Sequence, residues 1–341
     1  MIRDIDFEQA MQLNNSLFID LRSENEFQED HIPNAINIPL FNNEERANVG
    51  TVYKNQGSKA ARKLGLKIVT PKLPKIVQLI DDIANNSSIV LYCWRGGLRS
   101  QSLAVILDLM DIKGYRLIGG YKKFRNWIYA YFQQEKLGFE AIILHGLTGT
   151  GKTEIIKQLE KSQIGVIDLE GLANNRGSVF GSLGLSDQPT QKMFESLLWH
   201  KLEQNKDQRF IVVECESKRI GKLILPSLFY QTMKEGKHIL VYDTLPNRVK
   251  RIISEYDPST YKNQVLEALI KLKDRLGKDK INYLKNLVIE GKYQWVVEDL
   301  LICYYDPLYK YPDHPSTQYD LSVNAANIES AAEQIIKYLL T

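Results

Sequence analysis

A chain of 341 residues exceeds what one ordinary hydrophobic core organises and fits two domains. With 44% hydrophobic and 25% charged residues, the composition is that of a globular protein and excludes a disordered or fibrous chain. Formal net charge is +3, from 44 basic and 41 acidic residues, so no global field marks a nucleic-acid binder, although a local basic face would suffice for one.

At the N-terminus, MIRDIDFEQAMQL places acidic residues where a secretion signal needs an apolar core. No apolar run approaches the ~20 residues of a membrane span. A cytoplasmic protein without membrane attachment is expected. Ser16–Leu21, Ala35–Leu40 and Ser87–Cys93 read as strands, and Lys75–Ala84 has apolar residues at helical spacing. Arg99–Asp111 is apolar on most faces and predicts a buried helix; Tyr115–Ile118 reads as a strand and Tyr121–Phe132 as an aromatic-rich helix. This alternation predicts an α/β domain built on a parallel sheet over residues 1–133.

Polar QQEKLG marks the boundary, and a second α/β domain is expected over residues 134–341. Its strands are predicted at Phe139–Leu144, Ile164–Asp168, Phe210–Val213, His238–Tyr242 and Tyr319–Val323, with helices between and an amphipathic helix over Ala326–Leu340. The three cysteines, Cys93, Cys215 and Cys303, lie far apart and form neither a disulfide framework nor a CxxC pair, so no structural metal is expected.

Cys93 ends an apolar strand and opens the loop Trp94-Arg95-Gly96-Gly97-Leu98-Arg99-Ser100. A cysteine there faces converging backbone N–H groups and a helix N-terminus, with Arg95 and Arg99 adding positive charge. All three favour the thiolate that nucleophilic attack requires. The bland alternative is a buried structural cysteine, but an inert core has no need of two cations. Cys215, between two glutamates, and Cys303, inside LLICYY, lack such surroundings and read as structural.

Gly146-Leu-Thr-Gly149-Thr-Gly151-Lys152-Thr153 satisfies the phosphate-loop pattern G-x-x-x-x-G-K-[ST] after the apolar run AIIL and before the helical run EIIKQLEK. Glycines let backbone N–H groups converge on phosphate oxygens, and the helix N-terminus adds its dipole. Lys152 supplies a mobile charge and Thr153 a hydroxyl suited to Mg²⁺. A nucleotide is the default ligand, yet the same cradle would hold the diphosphate of another donor. Asp168 and Glu214 end strands and are both candidates for a Mg²⁺-binding acid; each is equally an ordinary strand-end carboxylate.

The cysteine loop, Asp20-Leu-Arg22 with Glu26, the stretch His31–Pro39 and the turn Gly119-Gly120-Tyr121 resemble the rhodanese family. In that family the loop cysteine carries sulfur or selenium, and the resemblance implies that Asp20, Arg22 and His31 fix the fold. The CWRGG loop fused to a P-loop NTPase-like domain is similar to the tRNA 2-selenouridine synthase family. Supporting stretches are Glu44–Lys54, Asp168–Ser178, Gln188–Gln191, Arg275–Gly277 and Tyr304–Pro307. Two positions depart from the expected pattern: Asn175 stands where a histidine is expected and Cys215 where an acid is.

The resemblance implies a two-step exchange on tRNA carrying 2-thiouridine at the wobble position. The sulfur is first geranylated from geranyl diphosphate, gripped by Gly146, Gly149, Gly151, Lys152 and Thr153. Selenium derived from selenophosphate then replaces the geranylthio group, with Cys93 as selanyl carrier and Arg95, Gly96, Gly97 and Arg99 binding the anion. A selenophosphate-producing enzyme is an implied partner. RNA-binding candidates are Lys113, Arg116, Lys122, Lys123 and Arg125, interleaved with Tyr115, Tyr121, Phe124 and Trp127; then Lys218, Arg219 and Lys222; then Lys271, Lys273, Arg275, Lys278 and Lys280. For any one cluster, a solvated helix face is the competing reading. Two other functions stay open: a sulfurtransferase fused to an ATPase or small-molecule kinase, and a non-catalytic nucleotide sensor.

Overall fold

The computed structural model describes residues 2–84 and 87–340, so the outermost residues of both expected domains, 1 and 341, lie outside the described residues. The chain divides into two compact units: residues up to 133 with 195–197, and residues 134–194 with 198 onward. Each is α/β with an all-parallel five-stranded sheet.

In the first unit the strands are β1 (Ile2–Ile5), β2 (Ser16–Asp20), β3 (Ile36–Asn37), β4 (Ser88–Tyr92) and β5 (Gly114–Leu117), ordered β1-β5-β4-β2-β3. Ile89, Val90, Leu91 and Tyr92 of the central β4 are all buried, as a doubly covered parallel strand requires. Core contacts come from Ile19, Leu21, Ile76, Ile80, Leu103 and Leu107. Cys93 therefore sits just past the carboxyl end of the central strand, where parallel sheets place their ligand sites.

Two features differ from expectation. The helix after the cysteine loop, Leu98–Leu109, is buried on one face only: Leu103 and Leu107 are in the core, while Leu98, Val105 and Leu109 are exposed. Composition alone could not reveal that one side lacks a neighbour. The second feature is the long helix Asn43–Val69, which buries Ala61 and Gly65 and so lacks the strong apolar stripe that betrays a helix in sequence. It starts at a capping box of Asn42 and Glu45 and breaks direction at Gly57, whose φ of 82° and ψ of 175° only glycine adopts readily.

In the second unit β6 (Glu140–His145), β7 (Gly165–Ile167), β8 (Phe210–Glu214), β11 (Lys237–Tyr242) and β12 (Leu321–Asn324) are ordered β12-β11-β6-β8-β7. A two-stranded antiparallel ribbon pairs β9 (Arg219–Ile220) with β10 (Leu223–Ile224). The phosphate loop follows the central β6 and leads into the helix Lys152–Lys161. A helical segment begins at Leu245–Tyr256 and packs its own core around Val265, Leu269, Leu284, Val288 and Leu301.

Candidate functional site

The first unit shapes its cysteine loop by backbone contacts. Tyr121 N–H donates to Cys93 O at 2.9 Å and Lys122 N–H to Trp94 O at 2.9 Å, tying the loop to the Gly119–Tyr121 turn. That turn tolerates no side chain at Gly120: a Cβ there would lie 2.1 Å from Cys93 O, and its φ is +53°. Beneath it, Arg22 and Asp20 are both fully buried and joined at 2.6 Å. Arg22 also donates to Asp30 O at 2.6 Å and lies 3.8 Å from the Tyr121 ring centroid. His31 stacks on Phe27 with centroids 3.8 Å apart. These residues support the loop from below without reaching its open side.

The Cys93 sulfur lies 3.3 Å from Ser100 Oγ, which in turn donates to Gly97 O at 3.2 Å; the cysteine is 3% exposed. Gly97 caps the helix Leu98–Leu109. Arg95 is exposed beside the loop, whereas Arg99 donates to Glu26 Oε2 at 3.0 Å. Burial pushes the Glu26 carboxyl up, but Arg99 at short range, the Ser23 N–H and Arg46 outweigh it and hold it below the usual glutamate range. Arg99 is thus paired with a carboxylate rather than presented as a bare charge. Arg116 takes a loop role as well, donating to Gly96 O at 2.7 Å within electrostatic reach of Cys93.

In the second unit the phosphate loop is held through its carbonyls. Arg248 donates to Thr148 O at 2.9 Å and Arg251 to Gly149 O at 2.7 Å. In a trans peptide the N–H points opposite to the C=O, so fixing these oxygens aims Gly149 N–H and Thr150 N–H the other way. The two arginines are themselves fixed by Asp306 and Asp243. Gly146 has no room for a Cβ, which would lie 2.2 Å from Val241 O. Lys152 Nζ donates to Gly146 O at 3.0 Å and Leu147 O at 3.3 Å.

Around the loop stand Cys215 and four residues to which the sequence assigns no role. His145, Glu170, Cys215, Glu216 and Glu255 all lie within electrostatic reach of the Lys152 charge. Burial, then the charges of His238 and Lys152, push His145 down to about 4, so it is neutral at neutral pH; it lies 2.7 Å from His238. Burial and the charge of Glu216, with which it shares a hydrogen bond, push Glu170 up to about 8. These residues come from two strand ends and two helices, a convergence no local spacing announces.

The two candidate Mg²⁺ acids are both engaged. Asp168 caps the helix Leu169–Ala173 by accepting from Gly171 N–H at 2.7 Å. Glu214, 1% exposed, accepts from Glu170 N–H at 2.7 Å, and burial together with the charges of Glu170 and Asp168 pushes its carboxyl well above the usual glutamate range. Among the described residues, no group of three or more His, Cys, Asp or Glu side chains is arranged to hold a metal ion. At the two departing positions, Asn175 accepts from Gly177 N–H at 2.9 Å and Cys215 lies 3.4 Å from Tyr311 Oη. A cavity of about 60 Å³ opens beside Thr148 of the loop and is lined by apolar groups including Phe180, Leu183, Ile252, Val265, Val297 and Leu301.

Among the basic clusters, Tyr121 and Phe124 are core residues, 3% and 0% exposed, and are not stacking platforms for bases. Arg116 pairs with Asp4, Lys280 with Asp299, and Arg275 donates to Tyr304 Oη. No helix among the described residues is long and apolar enough to cross a membrane.

Known proteins give the same partition. The profile of the tRNA 2-selenouridine synthase AAA domain matches residues 139–339, and that of the rhodanese-like domain matches residues 5–126. The tRNA 2-selenouridine synthase of Sulfurovum sp. (strain NBC37-1) is 35% identical over 333 residues, covering 89% of this chain and 90% of the relative. That of Nitrosomonas europaea is 37% identical over 257 residues, covering 74% and 66%. That of Pseudomonas savastanoi pv. phaseolicola is 31% identical over 352 residues, covering 94% of each. A cysteine loop on one parallel sheet and a phosphate loop on another, matched along nearly the whole length, place this chain in the tRNA 2-selenouridine synthase family.

Proposed function

We propose that this chain is an enzyme that replaces the sulfur of wobble 2-thiouridine in tRNA with selenium, through an S-geranyl intermediate. The observation that carries the proposal is the presence in one chain of a cysteine at the carboxyl end of a central strand, in a loop that contains Arg95 and Arg99 and accepts a hydrogen bond from Arg116, and a phosphate loop edged by an apolar cavity. In the first step the thiouridine sulfur attacks the terminal carbon of geranyl diphosphate. The carbon–oxygen bond breaks, diphosphate departs into the loop N–H groups and Lys152, and the nucleobase N3 proton leaves. Glu170 and Glu216, hydrogen-bonded to each other and both pushed up by burial, are the carboxyl groups offered to take that proton when ionised.

The cavity beside Thr148, about 60 Å³, has room for only a few carbons, and its mostly apolar lining suits the start of an isoprenoid chain better than a purine. If Mg²⁺ joins the diphosphate, the Thr153 hydroxyl is the group this loop would offer it, and the ion would add charge neutralisation. In the second step selenophosphate binds at Arg95, Gly96, Gly97 and Arg99, with Arg99 exchanging Glu26 for the anion. Its selenium, already at the selenide level, adds to C2, geranylthiol leaves, and water cleaves the phosphorus–selenium bond to release phosphate; where Cys93 carries the selenium on the way as a selanyl group, a disulfide takes up two electrons as the S–Se bond forms and a thiol returns them when it breaks. Alkylation makes the departing sulfur a better leaving group.

The test is mass spectrometry of tRNA nucleosides from cells lacking the protein, complemented with variants. Cys93→Ala should abolish 2-selenouridine while S-geranyl-2-thiouridine still forms, and Lys152→Ala should lose both. Normal 2-selenouridine with Cys93→Ala would overturn the carrier role. Vigorous ATP hydrolysis indifferent to tRNA would favour a sulfurtransferase fused to an ATPase.

A further inference from the structure

A second cavity lies wholly within the first unit and borders the cysteine loop. It is a groove of about 780 Å³, walled on one side by both halves of the kinked helix Asn43–Val69 and on the other by Leu98, Ser102, Leu103 and Ile106 of the helix that follows the loop. That volume is within the ~300–1,000 Å³ of small-molecule sites. The break at Gly57 makes the wall concave: Val49 and Tyr53 precede it, Ala61 and Leu66 follow it. Tyr53, Leu66 and Leu98 are 61%, 67% and 55% exposed, an uncovered apolar surface of the kind that marks a binding site. The rim carries Lys54, Arg62 and Arg99. An apolar trough with a cationic rim matches a ligand with a greasy chain on a polyanionic body. Leu98 and Arg99 belong to both the groove and the cysteine loop, so the chain's point of attachment would lie at that loop.

We infer that this groove receives the geranyl chain of S-geranyl-2-thiouridine in tRNA and thereby presents the alkylated nucleoside to the Cys93 loop. The inference rests on the reaction proposed above and adds to it a selection step: the cysteine unit recognises thiouridine that already bears its leaving group and passes over thiouridine that does not. Lys54 and Arg62 meet RNA phosphates while the trough takes the chain.

Ser58 and Ser102 line the groove and are exposed, so Ser58→Trp and Ser102→Trp fill it without entering the core. The measurement is the affinity of the full chain for an anticodon stem-loop RNA with S-geranyl-2-thiouridine against the same RNA with 2-thiouridine. The native chain should bind the alkylated RNA at least about tenfold more tightly, from burial of the apolar chain. Both tryptophan variants should lose that preference to within about twofold while binding the 2-thiouridine RNA as before. Ser58→Ala and Ser102→Ala, which leave the groove open, should keep it. Equal binding of the two RNAs by the native chain, or a preference intact in the tryptophan variants, would overturn the inference. Loss of geranyl diphosphate binding in those variants would also overturn it, by making the donor the occupant. Turnover separates the two ideas: if the native chain with selenophosphate leaves the alkylated RNA unchanged, the proposed reaction fails whatever the groove binds.

Discussion

Asp20 and Arg22 illustrate how a buried charge pair serves a loop it does not touch chemically. Removing one partner strands the other in a region with 0–1% exposure. Asp20→Asn should therefore cost about 3–5 kcal/mol in urea unfolding of the first unit. Arg22 would still reach Asp30 O and the Tyr121 ring, which argues for the lower part of that range. In the second unit Glu170 gives a pH signature. Its folded value, about 8, lies above the ordinary 4.5, so the native state holds a proton that the unfolded chain has released. That contribution is complete below pH 4.5 and is lost as pH rises toward 8, so stability should fall across the interval. Glu170→Gln should flatten part of the slope in denaturant midpoints, and an unchanged slope would contradict the assignment. The DLR and CWRGG strings made Asp20, Arg22 and Cys93 legible in sequence because each works within a few residues of its neighbours. Glu170, Glu216 and Arg248 were not legible, because their partners are tens of residues away.

Among the elements, the helix Asn43–Val69 has the most to say about local rules. Gly57 holds a backbone conformation nearly closed to other residues, yet a Cβ there would meet nothing within 4 Å. The cost of Gly57→Ala is thus conformational strain alone, about 1–3 kcal/mol, readable as a lower urea midpoint for the first unit. A substitution with no effect would mean that the break straightens readily. The sequence reading found neither this helix nor β1, for related reasons. The helix buries few side chains, and β1 is a four-residue edge strand with Arg3 and Asp4 exposed, so neither shows a strong periodicity. Strands β2, β4, β6, β8 and β11 were visible because both faces of each are covered, giving unbroken apolar runs.

For the molecule as a whole, two loops on two sheets suggest that the alkylation and exchange halves of the reaction can be separated genetically. Cys93→Ala should make S-geranyl-2-thiouridine tRNA and Lys152→Ala should consume it. Mixing the two purified variants with 2-thiouridine tRNA, geranyl diphosphate and selenophosphate should restore 2-selenouridine, more slowly than the native chain because the intermediate must change hands. Failure of the mixture, with each variant folded, would show that the intermediate never leaves the chain on which it is made. The two α/β units and the two loops could be read before any coordinates existed. The groove and the acid cluster could not, since each is assembled from segments that only the tertiary fold brings together.

The lysine of the phosphate loop has a consequence for discrimination. Because Nζ donates to Gly146 O and Leu147 O, the Lys152 ammonium is partly shielded from its surroundings. A protein that handles tRNA is surrounded by phosphodiesters, each bearing one charge, and an exposed ammonium would be a trap for them. Here an anion must replace two carbonyl contacts at once, which a terminal diphosphate with several oxygens can do and a single backbone phosphate does poorly. If the loop takes the diphosphate proposed above, these two contacts would make it a filter against the RNA backbone.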